Sequence, residues 1–113
     1  ITLWGDGKQI RELIYIDDFI KTFVNLNNNC SNQVINVGSG QYMSIMDFAK
    51  ICCDIVGVDS INVNYDINEF VGAKSKTMNI DKMNKIYKIN QTPYTKGLKA
   101  TINWFVKIKH LIN

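Results

Sequence analysis

Short β-rich segments alternate with helical patterns along most of this chain, and the alternation constrains its fold more than any other feature. The predicted order is a strand pair, a helix, a strand, a second helix, a third strand segment, a loop and two further helices. Short strands that alternate with helices are typical of a mixed α/β unit. We therefore predict a small mixed α/β domain with short strands and about four helices.

The first 29 residues indicate a hairpin or strand pair followed by a helix. Residues 1–4 and 10–16 are rich in β-formers and flank Gly5-Asp6-Gly7-Lys8, whose Asp-Gly step supplies the positive φ of a tight turn. Asp17 and Asp18 then offer an N-cap and favourable charge at a helix start. Apolar residues occupy one face of that helix: Phe19, Ile20, Phe23 and Val24.

The middle of the chain continues the pattern. Residues 33–37 form a short apolar strand segment, and Ser44 with Asp47 resembles a capping box at the start of a second helix. Gly57 is a suitable C′ residue for that helix. The helical spacing is carried by Ile45, Phe48, Ala49, Cys52, Cys53 and Val56, and period-two alternation by Ile61, Val63 and Tyr65.

The last third indicates a loop and two helices. Residues 66–78 lack periodicity and are predicted as a loop, with a short extended piece near residues 77–80. Asp81 can begin a short helix that runs to Tyr87. After Pro93, an amphipathic helix is predicted over about residues 95–110, with Leu98, Ile102, Phe105 and Ile108 on its apolar face.

Composition indicates one ordinary globular domain over residues 1–113, with 46% hydrophobic and 20% charged residues. The chain begins at Ile1 within a strand-like segment, which suggests a piece of something larger. Its net charge of +3 comes from dispersed basic residues, a pattern of solvated helix surfaces rather than of a nucleic-acid interface. No apolar run approaches the roughly 18 residues of a membrane span, so neither nucleic acid nor membrane is predicted as a partner.

The three cysteines, Cys30, Cys52 and Cys53, favour a reduced protein. An odd count with two adjacent residues does not make a disulfide framework, and no CxxC pair accompanies the single His110. We expect packed thiols in a cytoplasmic protein and no zinc site.

Motifs of catalysis and cofactor binding are incomplete. Gly38-Ser39-Gly40 lies between a strand and a helix, but Met43 stands where the third glycine of a dinucleotide fingerprint should fall. No Tyr is followed by Lys four residues later, so proton transfer by a Tyr–Lys pair has no local carrier. Asp17 and Asp18 are better explained as helix-start charge than as an acid–base pair. We predict no catalytic, cofactor or metal residue in this chain.

Arg11 is the only arginine, and it lies in a strand-like segment. Its rigid fork of donors matches a phosphate in a bidentate way. A surface arginine with a solvated head explains the same position equally well. Spacing alone leaves the two interpretations open.

An ordered series of segments resembles the NAD(P)-dependent epimerase/dehydratase family, the extended short-chain dehydrogenases. The series runs from the Leu3-Trp4-Gly5-Asp6-Gly7 turn through Arg11-Glu12 to Tyr15-Ile16-Asp17-Asp18. It continues with Asn36-Val37-Gly38-Ser39-Gly40, the helices that begin at Ser44 and Asp81, and Thr92-Pro93-Tyr94 leading into Gly97-Leu98 and Trp104-Phe105. The Trp-Gly-x-Gly form with Arg-Glu is most similar to GDP-fucose synthases.

The resemblance implies a carboxy-terminal substrate-binding domain without a complete Rossmann sheet. In the family, an amino-terminal Rossmann domain holds NAD or NADP and the catalytic group, and the carboxy-terminal part binds the nucleoside diphosphate of a sugar nucleotide. Arg11 matches the family arginine that contacts the diphosphate. Trp4 matches a position near the nucleotide, although a packing role explains it almost as well. Lys74 or Lys76 would supply a second phosphate contact, in a loop whose Glu69 and Phe70 depart from the basic residue that many members have before the glycine.

Two functions follow from the resemblance. The first is the nucleotide-sugar-binding portion of an NAD(P)-dependent epimerase, dehydratase or reductase, inactive alone and partnered by its Rossmann domain. The second is a stand-alone interaction module of the same fold without an enzymatic role. Apolar surface that a missing partner leaves exposed would favour a homo-oligomer in either case.

Overall fold

The computed structural model of the chain describes residues 1–59 and 63–111. Within these ranges it contains five short strands, four α-helices and a final 3-10 turn over Lys109–Leu111. The strands are β1 (Thr2–Trp4), β2 (Ile10–Glu12), β3 (Tyr42–Ser44), β4 (Asn64–Asp66) and β5 (Ser75–Lys76). The helices are α1 (Ile16–Asn29), α2 (Ile45–Val56), α3 (Asp81–Ile86) and α4 (Tyr94–Ile108). The predicted fold class, a small mixed α/β unit with short strands and four helices, is confirmed.

Strand β2 is the centre of a three-stranded sheet. It pairs antiparallel with β3 and parallel with β5, in a register that places Arg11 opposite Met43 on one side and Lys76 on the other. Strand β1 lies in a second sheet, where it pairs parallel with β4. Residues 1–16 therefore form two strands, as predicted, but the two strands belong to different sheets and do not make a hairpin.

The turn between β1 and β2 explains why they separate. A tight hairpin needs a short loop that keeps both strands in one ladder, whereas here the Gly5 N–H donates to the Asp66 carbonyl of β4. The carbonyls of Gly7 and Gln9 accept from the Met46 and Ile45 N–H groups at the start of α2. The turn thus caps a helix, whose first N–H groups have no partner within the helix itself.

Helix α1 buries the side opposite to its apolar stripe. Asp18, Thr22 and Leu26 are buried, while the stripe of Phe19, Ile20, Phe23 and Val24 is exposed, with Phe23 57% exposed. Asp18 is not an N-cap, since Tyr15 holds that position without a side-chain hydrogen bond. The Asp18 carboxylate instead accepts from the Thr92 N–H at 2.7 Å and from the Thr92 hydroxyl at 3.0 Å. One buried carboxylate therefore joins α1 to the segment that leads into α4.

The predicted helices are confirmed, whereas several predicted strands differ from those in the structure. Residues 33–37 belong to no strand, because none of the described segments pairs with them, and Val34 is 88% exposed. β3 was not predicted, β5 lies just before the expected piece at residues 77–80, and Ile61 falls outside the described residues. Helix α2 begins as predicted: the Ser44 hydroxyl oxygen accepts from the Asp47 N–H, and Gly57 ends the helix at φ +73°.

The core of the described residues is thin. Four apolar side chains are buried, and they come from α1, α2 and α3: Leu26, Phe48, Cys53 and Met83. The cysteines form no disulfide, and Cys53 belongs to this core. Partial burial, and then the neighbouring Cys53, raise the pKa of the Cys52 thiol, which favours its unreactive protonated form. In the described part of the chain, no helix is long and apolar enough to cross a membrane.

Replacing Asp18 with Ala should destabilise the fold, because the half-buried Thr92 N–H and hydroxyl lose the buried carboxylate that accepts from them. We expect the free energy of unfolding to fall by about 2–3 kcal/mol, measured by urea denaturation followed by circular dichroism. Asp17→Ala is the matched control, since it removes the same charge from an exposed neighbour and should cost less than about 1 kcal/mol. Equal losses in the two variants would contradict the tethering role.

Candidate anion-binding site

Main-chain carbonyl oxygens hold the guanidinium of Arg11. Its Nη1 donates to the carbonyls of Ile10 at 2.7 Å and Ala73 at 3.1 Å, and its Nη2 donates to the Val71 carbonyl at 3.4 Å. These bonds fasten the side chain to the segment that leads into β5. The charge therefore sits at a defined place beside the central strand instead of sampling many rotamers in solvent.

No carboxylate neutralises Arg11 among the described residues. Lys8 and Asp6 form an ion pair at 3.9 Å, and both of these side chains are exposed. Carbonyl oxygens satisfy donors without cancelling a full positive charge, so the charge of Arg11 is not compensated by these contacts. Arg11 is therefore not part of a structural ion pair among the described residues, and its contact with a phosphate stays a prediction.

Two lysines extend this positive charge along β5. Lys76 is the direct parallel neighbour of Arg11 in the sheet, and neighbours in register point to the same face. Lys74 lies two residues before Lys76, and its carbonyl accepts from the Ile10 N–H at 2.8 Å. The structure thus brings all three predicted phosphate contacts together, with Arg11 beside Lys76 and Lys74 at the start of the strand.

A cavity of about 610 Å³ lies next to this row of cations. Val71 lines it and also bonds to Arg11, although Arg11 itself is not in the lining. Lys8 and Lys74 contribute positive charge to the walls, and Asp6 and Glu69 contribute negative charge. Because these charges balance, the cavity suits an uncharged polar group better than a phosphate.

Trp4 lies at the end of β1, directly before the Gly5 turn that forms one wall of this cavity. Its side chain is 62% exposed, so it is not a core residue. Its carbonyl accepts from Gln9 Nε2 at 3.1 Å. Trp4 therefore leaves an aromatic side chain open to solvent next to the turn that lines the cavity, although Trp4 is not itself one of the lining residues.

Gln9 and Lys8 are site residues that the sequence did not single out. Both line the cavity, and Gln9 lies two residues before Arg11. The available signal was this spacing, because residues two apart on an extended segment share a face. A lone glutamine or lysine in a turn is otherwise too common to indicate a site.

A second, larger cavity of about 690 Å³ lies between the start of α1 and α4. Its walls are mainly apolar, including Leu98 and Trp104, and neither lysine nor arginine lines it, so it offers a phosphate no cation. Tyr15 is one of its lining residues. Partial burial first, and then the charge and hydrogen bond of Asp17, raise the pKa of the Tyr15 phenol. A phenol that holds its proton more tightly is poorly suited to act as a base at neutral pH.

The glycine motif at residues 38–40 braces the strand that carries Arg11. Glu12 accepts from the Gly40 N–H at 2.8 Å and from the Met78 N–H at 2.9 Å. A Cβ added to Gly38 would lie 2.3 Å from the Glu12 Oε1 atom. The motif is therefore a close packing contact around the Glu12 carboxylate, in keeping with the incomplete dinucleotide fingerprint.

Comparisons with known proteins place this fold in a family. Residues 1–38, which include Arg11, match the model of the NAD dependent epimerase/dehydratase family. A dTDP-4-dehydro-6-deoxy-D-allose reductase of Streptomyces bikiniensis is 27% identical over 93% of this chain and 32% of its own length. GDP-L-fucose synthase 1 of Arabidopsis thaliana is 27% identical over 95% of this chain and 33% of its own length.

Solved structures agree with the sequence relatives. The UDP-glucuronic acid 4-epimerase of Bacillus cereus, in complex with UDP-glucuronic acid and NAD, superposes with a TM-score of 0.80 at 26% identity. The match covers 95% of this chain and 35% of the epimerase. The resemblance is therefore confirmed: the chain matches the NAD-dependent epimerase/dehydratase family in sequence and in fold, and it spans about a third of the length of these relatives.

Replacing Gly38 with Ala should weaken the brace on β2, because the new methyl group would displace the Glu12 carboxylate from two main-chain donors. We expect a loss of about 1–3 kcal/mol in the free energy of unfolding, measured by thermal or urea denaturation. Gly57→Ala is the control: nothing lies within 4 Å of its added Cβ, so only the strain of a positive φ, about 1 kcal/mol, should appear. A Gly38→Ala variant as stable as the parent would contradict the bracing role.

Proposed function

We propose that this chain is the nucleotide-sugar-binding portion of an NAD(P)-dependent epimerase, dehydratase or reductase. The observation that carries the proposal is Arg11, whose charge is fixed by carbonyl oxygens and has no carboxylate partner among the described residues. A diphosphate needs two neighbouring cations, and Lys76 stands beside Arg11 in the sheet. Similarity to a family of sugar-nucleotide enzymes suggests the substrate class.

In this arrangement the sheet divides the substrate between two subsites. The linked phosphates contact Arg11 and Lys76, whose charges compensate theirs. The nucleoside extends past Lys74 toward the cavity with balanced charges, and the exposed side chain of Trp4 lies just before the turn that lines this cavity. The nucleotide, the sugar and the outcome of the reaction depend on groups outside this set of contacts.

Redox chemistry belongs, in this proposal, to a Rossmann domain that binds NAD or NADP. Such a cofactor would accept and return a hydride at a sugar carbon. The residues described here bind and orient the diphosphate, and the chain alone should show no turnover. The parent enzyme is proposed to be cytoplasmic, consistent with three cysteines that form no disulfide.

The exposed stripe of α1 is the surface we propose for contact with that Rossmann domain. Phe19, Ile20, Phe23 and Val24 are apolar and exposed together, and a continuous apolar patch in water indicates an interface. The relatives are about three times as long as this chain, so a domain of the family is available to cover the stripe. A stand-alone module of the same fold would use the stripe for self-association instead. A GxxGxxG-bearing segment directly upstream in the reading frame would support the enzyme, and a separate start codon the module.

The phosphate role predicts that Arg11→Ala and Lys76→Ala each weaken binding of a nucleoside diphosphate sugar and of inorganic pyrophosphate by about tenfold, or about 1.4 kcal/mol. Isothermal titration calorimetry with GDP-, UDP- and dTDP-sugars at fixed salt measures this loss. Lys99→Ala on α4 is the control, because it removes one exposed charge away from β5. Losses in Lys99→Ala equal to those of Arg11→Ala would reduce the effect to net charge and overturn the proposal.

The α1 stripe predicts concentration-dependent self-association of the isolated chain. Phe23→Asp places a charge within the stripe and should shift the sedimentation velocity profile toward monomer. Lys21→Asp introduces the same side chain at another exposed position of α1 and should leave association almost unchanged. If the unmodified chain stays monomeric at every concentration, the stripe is not an interface for self-association.

A further inference from the structure

Gln9 is the buried polar side chain that phosphate binding leaves unexplained. It is only 6% exposed, and it lines the cavity beside the cations. Its Nε2 donates to the Trp4 carbonyl at 3.1 Å. Its Oε1 is buried, and none of the residues that the structure describes gives it a hydrogen bond. A buried acceptor without a donor is costly, and most native structures avoid it.

The surroundings of Gln9 tie its amide to the shape of the cavity. A Cβ added to Gly5 would lie 2.5 Å from Gln9 Nε2 and 2.4 Å from the Val71 side chain, so the glycine turn closes directly over the amide. The Gln9 carbonyl accepts from the Ile45 N–H at 3.0 Å and anchors the backbone at the start of α2. The backbone is thus fixed, and rotation of the side-chain amide remains the available adjustment.

We propose that Gln9 is a positioning residue, which couples the nucleoside in the cavity to the place of Trp4. In this role, which rests on the function proposed above, Oε1 accepts a hydrogen bond from an N–H or O–H group of the nucleoside. That bond satisfies the orphaned oxygen and orients the amide, whose Nε2 holds the Trp4 carbonyl. Because Nε2 already donates to the Trp4 carbonyl, a nucleoside at Oε1 holds that contact in place and restrains Trp4, whereas a phosphate alone does not.

Gln9→Met tests the proposal, because it keeps the length of the side chain and removes both polar atoms. The ligand is GDP, UDP or dTDP, whichever binds the unmodified chain most tightly. Calorimetry should show a roughly tenfold loss of affinity for this nucleotide and unchanged affinity for inorganic pyrophosphate. Trp4 fluorescence is measured in a Trp104→Phe background. Its intensity should change on nucleotide binding when Gln9 is present and stay unchanged in Gln9→Met. Equal nucleotide affinity and an equal Trp4 response in both proteins would overturn the inference.

Binding of inorganic pyrophosphate distinguishes a failure of the Gln9 role from a failure of the proposed phosphate site. If pyrophosphate binds in an Arg11-dependent way and nucleotides bind no tighter, the Gln9 role fails while the phosphate site stands. If Gln9→Met weakens pyrophosphate and nucleotide alike, Gln9 acts only through the fold, which also overturns the inference.

If Gln9→Met does not fold, a measurement on the unmodified chain tests the same contact. The Gln9 side-chain NH₂ resonances, assigned with Gln9→Asn, should shift on titration with the nucleotide and stay in place with pyrophosphate. Resonances that ignore the nucleotide would refute the contact.

Discussion

Arg11 presents its charge beside the central strand because main-chain carbonyls, and no described carboxylate, hold its guanidinium. This choice of partners matters physically: a carboxylate would cancel the charge, and bulk water would leave the fork free to move. Carbonyl oxygens fix the donors and keep the charge. The same side chain bonds the carbonyls of Val71 and Ala73 just before β5, whose register places Lys76 beside Arg11.

The hydrogen bonds around β2 also fix the position of the strand that carries Arg11. Glu12 ties the strand to the Gly40 and Met78 N–H groups, and the preceding turn caps α2 through the carbonyls of Gly7 and Gln9. Each of these contacts joins segments far apart in sequence. A short strand has few ladder bonds of its own, so these braces supply much of its rigidity.

Burial is distributed in an unusual way. Asp18 and Thr22 are buried on α1 while five large apolar side chains of the same helix are exposed, and only four apolar side chains are buried in the described part of the chain. A core this small contributes little hydrophobic stabilisation. The fold is consistent with a domain that completes its burial against another surface, which is the role proposed for the α1 stripe.

The sequence by itself determined the fold class, the four helices and the resemblance to the epimerase/dehydratase family, because helical periodicity and ordered motifs are local signals. It also singled out Arg11, Trp4, Lys74 and Lys76, as what the resemblance implies. Only the tertiary structure decided which strands pair, which face of α1 is buried, and that Lys76 lies beside Arg11. Gln9 emerged there too, since an orphaned acceptor exists only once the chain has folded around it. Pairing and burial depend on distant segments, and no local pattern encodes a partner more than 60 residues away.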